Sequence, residues 1–145
     1  MLTLGHNRLS EIPSSVVTLA ALRELALPHN AVATLPSGLG GMTSLEELNL
    51  DENGIVSLEG VEFGRMSALR TLLLRRNALR SLPEALLSAS GVNKLELEGN
   101  AITYRAMLVM PGVEAYNARR KGRIDRALAG DVEADRTYCG LDKSL

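Results

Sequence analysis

Five asparagines recur along the chain at almost constant spacing. They are Asn7, Asn30, Asn53, Asn77 and Asn100, and consecutive ones lie 23, 23, 24 and 23 residues apart. Each closes the same short pattern of leucines. A period of about 23 residues along the chain is typical of a solenoid, in which each repeat packs on its neighbours. It argues against a globular fold built around one central core.

The apolar residues keep one phase from copy to copy. In the second copy Leu22, Leu25 and Leu27 precede Asn30 with the spacing L-x-x-L-x-L-x-x-N, and three further copies repeat this spacing. The first copy is shorter and begins in the middle of the pattern at Leu2. Three copies continue after the asparagine with L-x-x-L-P or a close variant, at residues 9–13, 32–36 and 79–83. So many copies in phase exclude a simple helical pattern.

This pattern resembles the leucine-rich repeat family, and the repeat length with its leucine–proline step is similar to the Ras-group repeats of intracellular signalling scaffolds. Because L-x-L alternation places leucines on one face of a strand, each copy is predicted to add one strand to a parallel sheet. The resemblance implies an α/β solenoid with a short curved parallel sheet, short helical or 3-10 segments on its convex side, and an internal asparagine ladder. An asparagine amide both donates and accepts hydrogen bonds, so we assign the five a structural role.

The chain is predicted to have two parts. Residues 1–110 hold the repeats, of which the first is truncated, and residues 111–145 hold a C-terminal cap helix and an acidic tail. We expect the helix over residues 113–129, with an apolar stripe that covers the last leucines and Gly130 as its C-cap. The tail from 131 to 145 is either loosely ordered or wrapped against the cap. The truncated first copy indicates either a shortened version of a longer array or an edge that another molecule covers.

The convex segments are predicted to be short helical turns, with one more turn over residues 104–110. The third repeat departs from the others, since it is one residue longer and carries Glu59 where three copies have proline. We expect a local bulge there. Phe63 in this segment either fills the core or is an exposed anchor for a partner.

The strand face opposite the leucines presents a grid of side chains that we expect to be exposed. Its third strand is acidic, its fourth is basic at Arg70, Arg75 and Arg76, and its fifth is acidic again. The candidate partner contacts are Glu47, Asn49, Asp51, Glu52, Thr71, Leu73, Arg75, Arg76, Lys94 and Glu96. Strands lie about 4.8 Å apart, so the bands can neutralise each other. Alternatively Leu73, apolar within a charged frame, is a binding anchor.

The cap helix carries a basic cluster of five residues. They are Arg119, Arg120, Lys121, Arg123 and Arg126. Arg119, Arg120 and Arg123 are candidate contacts to phosphate or nucleic acid. The alternative is a solvated helix face whose charge offsets the acidic tail and the helix dipole. The net charge of −1 and the lack of an aromatic platform argue against nucleic acid.

Catalytic and metal sites have little support in the sequence. The phosphate-binding motif G-x-x-x-x-G-K-[ST] is absent. His6 and His29 fall in one row on adjacent strands, but Glu52 is the only third ligand in register, which makes a poor metal site. We therefore expect no enzyme activity, no cofactor and no metal.

Cysteine usage and hydropathy bear on the compartment. Cys139 is the only cysteine, whereas the resemblance implies disulfide-bonded caps for many extracellular members. No apolar run has the length of a membrane span, and no secretory signal is visible. The sequence therefore predicts a cytoplasmic protein.

The strand face opposite the leucines is the concave face of the solenoid, and its size limits what it can bind. The sheet projects on the order of 300 Å², below the about 800 Å² per partner of a stable interface. The first hypothesis is a non-catalytic intracellular adaptor or scaffold that binds a protein through this face. The second is a structural subunit of a larger protein or ribonucleoprotein assembly, contacted through the convex side, the open N-terminal edge and the basic helix.

Overall fold

The computed structural model describes residues 1–129 and 138–144. Within these residues five short strands form one parallel sheet in the order of the chain. They are β1 (Leu2–Thr3), β2 (Glu24–Ala26), β3 (Glu47–Asn49), β4 (Thr71–Leu73) and β5 (Lys94–Glu96). Equivalent residues of the repeats stand opposite one another, so that Leu25, Leu48 and Leu72 are in register. The repeat pattern therefore predicts both the strands and their pairing.

Short helical segments on the opposite side follow each of the five strands. They are α1 (Ser14–Val17), 3-10 turns at Ser37–Gly41 and Phe63–Arg65, α2 (Glu84–Ser88) and α3 (Tyr104–Leu108). Pro13, Pro36 and Pro83 come directly before three of them, where the fixed φ of proline suits an extended residue that leads into a turn. The predicted convex helical turns are confirmed.

The core is a ribbon between the sheet and these convex segments. The inward leucines of β2 to β5, such as Leu48 and Leu72, are fully buried. Phe63 is also 0% exposed, so its role is to fill the core beneath the longer third repeat. The alternative, an exposed anchor, is wrong because the 3-10 turn that Phe63 begins directs its ring inward.

The asparagines form the expected ladder. Asn53 donates from Nδ2 to the Leu27 carbonyl of the preceding repeat at 2.9 Å, and its Oδ1 accepts from the Val32 N–H at 3.0 Å. Asn30, Asn77 and Asn100 make the equivalent bonds. Since these bonds satisfy backbone groups at the strand ends, the structural role is confirmed for these four asparagines, whereas Asn7 donates only to carbonyls of its own repeat.

The last repeat is covered by two segments that do not belong to the pattern. Helix α4 (Val113–Ala129) has the predicted bounds and buries Val113 and Tyr116. Residues 138–141 lie beside β5, where the Cys139 carbonyl accepts from the Leu97 N–H at 2.8 Å. This part of the tail is wrapped against the cap, because the Tyr138 hydroxyl donates to Asn117 of α4 at 2.8 Å.

The buried Tyr116 hydroxyl lies 3.2 Å from the Cys139 Sγ. Burial, with the neighbouring thiol, raises the pKa of Tyr116. The predictions for Gly130 and for residues 131–137 lie outside the described residues.

Candidate partner-binding face

The strand face opposite the core carries side chains in two rows that follow the register. The first row is Glu47, Thr71 and Lys94, and the second, two residues further along each strand, is Asn49, Leu73 and Glu96. Six of the predicted contacts are therefore brought together on β3, β4 and β5. The other four, at the ends of β3 and β4, continue the same face.

The residue before each asparagine adopts a left-handed conformation. These residues are His6, His29, Glu52, Arg76 and Gly99, with φ between 52° and 76°. Such φ values are uncommon for residues other than glycine, and here they turn the chain out of each strand. The sequence analysis did not predict this conformation. Its position directly before the asparagine is the same in every repeat and could have indicated it.

Contacts between neighbouring repeats run along this left-handed row. The rings of His6 and His29 are stacked with centroids 4.2 Å apart. His29 Nδ1 lies 2.9 Å from Glu52 Oε2, and Arg76 Nη1 lies 3.3 Å from Glu52 Oε1. Side chains of this row therefore contact one another across the first four repeats.

Arg75 lies between two acidic side chains of the adjacent strands. Its guanidinium is 3.9 Å from Asp51 and 3.8 Å from Glu96, and its backbone N–H donates to Asp51 at 2.7 Å. Burial raises the pKa of Asp51, and the hydrogen bond and charge of Arg75 only partly oppose this shift. Together with the Glu52–Arg76 pair, this geometry confirms that the charged bands pair across strands.

Leu73 is the apolar residue at the centre of this face. It is half-buried on β4, with Asn49 and Glu96 directly opposite on the neighbouring strands. The charged side chains of Arg75 and Lys94 are also close to it in the register. The predicted frame around Leu73 is present, and its role as an anchor stays a prediction.

Glu96 and Arg70 differ from the prediction that both are exposed on the concave face. Glu96 is only 6% exposed, because residues 138–141 cover β5. A Cβ on Gly140 would lie 3.2 Å from Glu96 Oε2, which shows how closely this segment approaches. The prediction that Glu96 is exposed was wrong, since the repeat pattern carries no information about the segment that covers it.

Arg70 does not join the basic band of the concave face. Its Nη1 donates to the Ser67 carbonyl at 2.6 Å and to the Leu69 carbonyl at 3.2 Å. The side chain therefore folds back along the loop that leads into β4. Of the three residues predicted for the basic band, Arg75 and Arg76 remain, directly after the end of β4.

Comparison with known proteins agrees with this architecture. A family model described as leucine rich repeat matches residues 1–55 and 43–102. The chain belongs to the leucine-rich repeat family. Members of this family are generally non-catalytic modules for interaction with other proteins.

A solved structure of a leucine-rich repeat protein from Leptospira interrogans is similar over 92% of this chain, with 30% sequence identity and a TM-score of 0.67. The match covers 30% of that protein, so this leucine-rich repeat chain spans less than a third of its relative's length. No curated protein matches the sequence.

The basic helix of this leucine-rich repeat protein is attached to the last repeat by its arginines. Arg119 donates from Nε to the Val92 carbonyl at 2.9 Å and also donates to the Leu87 carbonyl, and burial lowers its pKa. Arg123 donates to the Asn93 carbonyl at 3.0 Å. The solvated-face interpretation is therefore wrong for these two arginines, which hydrogen-bond to backbone carbonyls.

Two other members of the basic cluster have partners on the cap itself. The Arg120 guanidinium lies 5.2 Å from the centroid of the Tyr138 ring. Lys121 pairs with Asp125 at 2.7 Å, one helical turn away. Contact of Arg119, Arg120 and Arg123 with phosphate stays a prediction.

In residues 1–129 and 138–144 no three His, Cys, Asp or Glu side chains are grouped closely enough to hold a metal ion. Among the same residues no helix combines the length and apolar character that a bilayer span requires.

Proposed function

We propose that this leucine-rich repeat chain is a non-catalytic intracellular adaptor or scaffold that binds a protein partner through its concave face. Leu73 is the single observation that carries the proposal. It is an apolar side chain, half-buried on β4, with the polar residues Asn49 and Glu96 opposite it on β3 and β5. Interfaces commonly have an apolar centre inside a polar rim, and the residues that contribute most to binding cluster at that centre, where the surrounding contacts exclude water.

The charged rim supports a particular kind of partner. Arg75 and Arg76 are already paired with Asp51, Glu96 and Glu52, so the rim offers little net charge to attract a charged ligand. The Glu52–Arg76 pair joins exposed side chains and is worth little by itself, whereas Arg75 lies against two largely buried carboxylates. The partner segment that suits this face is short and extended, with one apolar side chain that contacts Leu73.

Cysteine usage supports the intracellular assignment. Cys139 is the only cysteine of the sequence, and its side chain is buried beside Tyr116. Small secreted domains generally contain several cysteines that are joined in disulfides, whereas proteins of reducing compartments do not need them.

Affinity capture with matched variants tests the proposal. The complete natural protein is used as bait, and partners are identified and quantified by mass spectrometry. Leu73→Gln removes the apolar centre without adding charge, and should weaken partner binding by about tenfold, or about 1.4 kcal/mol. Val56→Gln is the control, because Val56 is 57% exposed on the loop after β3.

The two variants separate the hypotheses. Loss of the partner with Leu73→Gln and retention with Val56→Gln would support the concave face. The reverse result would contradict the proposal and favour a structural subunit contacted from the convex side.

A further inference from the structure

A basic pocket lies where the cap helix meets the loops that lead into β4 and β5. Its volume is about 460 Å³, which is within the range of small-ligand sites. The polar side chains that line it are Ser67, Arg70, Ser90, Asn93, Arg119 and Arg126. The pocket is separate from the concave face, since none of its lining residues belongs to a strand.

The guanidinium groups of Arg70 and Arg119 are held by backbone carbonyls. Arg70 uses Nη1 for the Ser67 and Leu69 carbonyls, and Arg119 uses Nε and Nη2 for Val92 and Leu87. A Cβ at Gly91 would overlap Arg70 Nη1, so glycine is needed there for Arg70 to take this position. Each guanidinium carries five N–H donors, so these bonds leave donors for a ligand.

The pocket has no acidic partner in the described part of the chain. Among residues 1–129 and 138–144, no aspartate or glutamate lines the pocket or forms an ion pair with Arg70, Arg119 or Arg126. This contrasts with Arg75 and Arg76, which face carboxylates. The positive charge of the pocket is therefore not neutralised by those residues.

Gly122 keeps the pocket open on the side of α4. Glycine within a helix is destabilising relative to alanine. Among the described residues, a Cβ at this position would meet only Arg126 Nη1, at 3.5 Å, which is an ordinary contact. None of these residues requires a glycine here, and a longer side chain would enter the pocket.

We propose that this pocket binds a phosphate group carried on a serine or threonine side chain of a protein partner. Guanidinium groups bind phosphate oxygens with paired, charge-assisted hydrogen bonds. The pocket suits one compact anion better than a nucleic-acid strand, because Arg120 and Arg123 lie outside it, in contact with Tyr138 and Asn93. In the part of the chain that the structure describes, no aromatic side chain lines the pocket, so a base would have no ring on which to stack.

The test uses O-phosphoserine as the probe and serine as its uncharged control, titrated by NMR at constant ionic strength. Gly122→Glu places a carboxylate beside Arg126 and should weaken O-phosphoserine binding by at least about tenfold. Gly122→Ala should leave the Kd within about twofold. Both variants replace a helical glycine, so a thermal melt should show folds at least as stable as the natural one.

Equal binding of O-phosphoserine by the Gly122→Glu and Gly122→Ala proteins would overturn the proposal. So would binding of serine as tight as that of O-phosphoserine. Arg126→Gln and Arg80→Gln form a second pair, since Arg80 is an exposed arginine after β4 that lies outside the pocket. The first should weaken binding by about tenfold and the second should not.

A ten-residue thymidine oligonucleotide distinguishes the source of the phosphate. Binding of O-phosphoserine with little binding of the oligonucleotide would support the phosphoprotein assignment. Tighter binding of the oligonucleotide that is lost in Gly122→Glu and weakens steeply with salt would assign the pocket to nucleic acid instead.

Discussion

The repeat array and the C-terminal cap satisfy backbone groups with different side chains. In the array, Asn30, Asn53, Asn77 and Asn100 both donate to carbonyls and accept from N–H groups of adjacent repeats. In the cap, Arg119 and Arg123 donate to carbonyls of the last repeat. An amide is neutral, whereas a guanidinium keeps its charge and further donors. The ladder therefore adds no charge to the array, whereas the arginines leave positive charge on the cap.

The same contrast holds for the arginines themselves. Arg75 and Arg76 lie on the concave face, where the register places carboxylates on the adjacent strands. Arg70 and Arg119 lie at the cap, where their described partners are carbonyls. The repeat therefore produces a face that is nearly neutral around Leu73, and the irregular parts of the chain produce a charged pocket.

The largest loss in the free energy of unfolding is expected when one asparagine of the ladder is replaced. Asn77→Ala removes hydrogen bonds to Leu50 and Leu74 and leaves the Ile55 N–H without its acceptor. Because these groups lie inside the array, the free energy of unfolding should fall by about 3 kcal/mol in urea denaturation.

Asn7→Ala is the matched control for the ladder. Asn7 is exposed and donates to the Leu4 and Gly5 carbonyls of its own repeat. The loss should stay below about 1 kcal/mol. Similar losses for both variants would mean that the hydrogen bonds between repeats do not account for the stabilisation by the ladder.

A smaller effect is expected from the cap. Arg119→Ala leaves the Val92 and Leu87 carbonyls without their donor and should lower the free energy of unfolding by about 2 kcal/mol. Arg105→Ala on α3 changes an exposed arginine and should stay within about 0.5 kcal/mol. If the two variants proved equally stable, Arg119 would not be holding the cap.

The smallest effect on the free energy of unfolding is expected for Asp51 on the concave face, and it depends on pH. Burial raises the pKa of Asp51, so its ionised form opposes folding at neutral pH and this cost disappears once the group is protonated. Asp51→Asn keeps the acceptor for Arg75 and should raise stability at pH 7 by less than about 1 kcal/mol.

The gain from Asp51→Asn should shrink as the pH falls through the raised pKa and vanish below the ordinary value of 3.8. Denaturation at several pH values measures it. A variant that is less stable at pH 7, or a gain that grows in acid, would show that the Arg75 ion pair outweighs the burial cost.

Much of the array could be predicted from the sequence. One alternation of leucines with an asparagine determines the strand, its register and the ladder, and the same contacts recur in each copy. The bounds of α4 also followed from the chain, because Pro111 and Gly112 interrupt the pattern and a helical stripe follows.

The parts that could not be predicted depend on contacts between non-repeating segments. Glu96 is buried by residues 138–141, and Arg119 reaches Val92 from 27 residues away. Arg70 turns to its own loop because Gly91 leaves room for its guanidinium. Neither spacing nor residue type reveals which of two arginines faces a carboxylate and which faces a carbonyl.

Hydroxyl-radical footprinting of the complex with the captured partner tests most directly whether the concave face is the binding surface. Leu19 and Leu108 are exposed outside the sheet, at 44% and 43%, and serve as internal references for Leu73. We predict that the partner protects Leu73 from oxidation and leaves both references unchanged. Protection of Leu19 or Leu108 with no change at Leu73 would contradict the account.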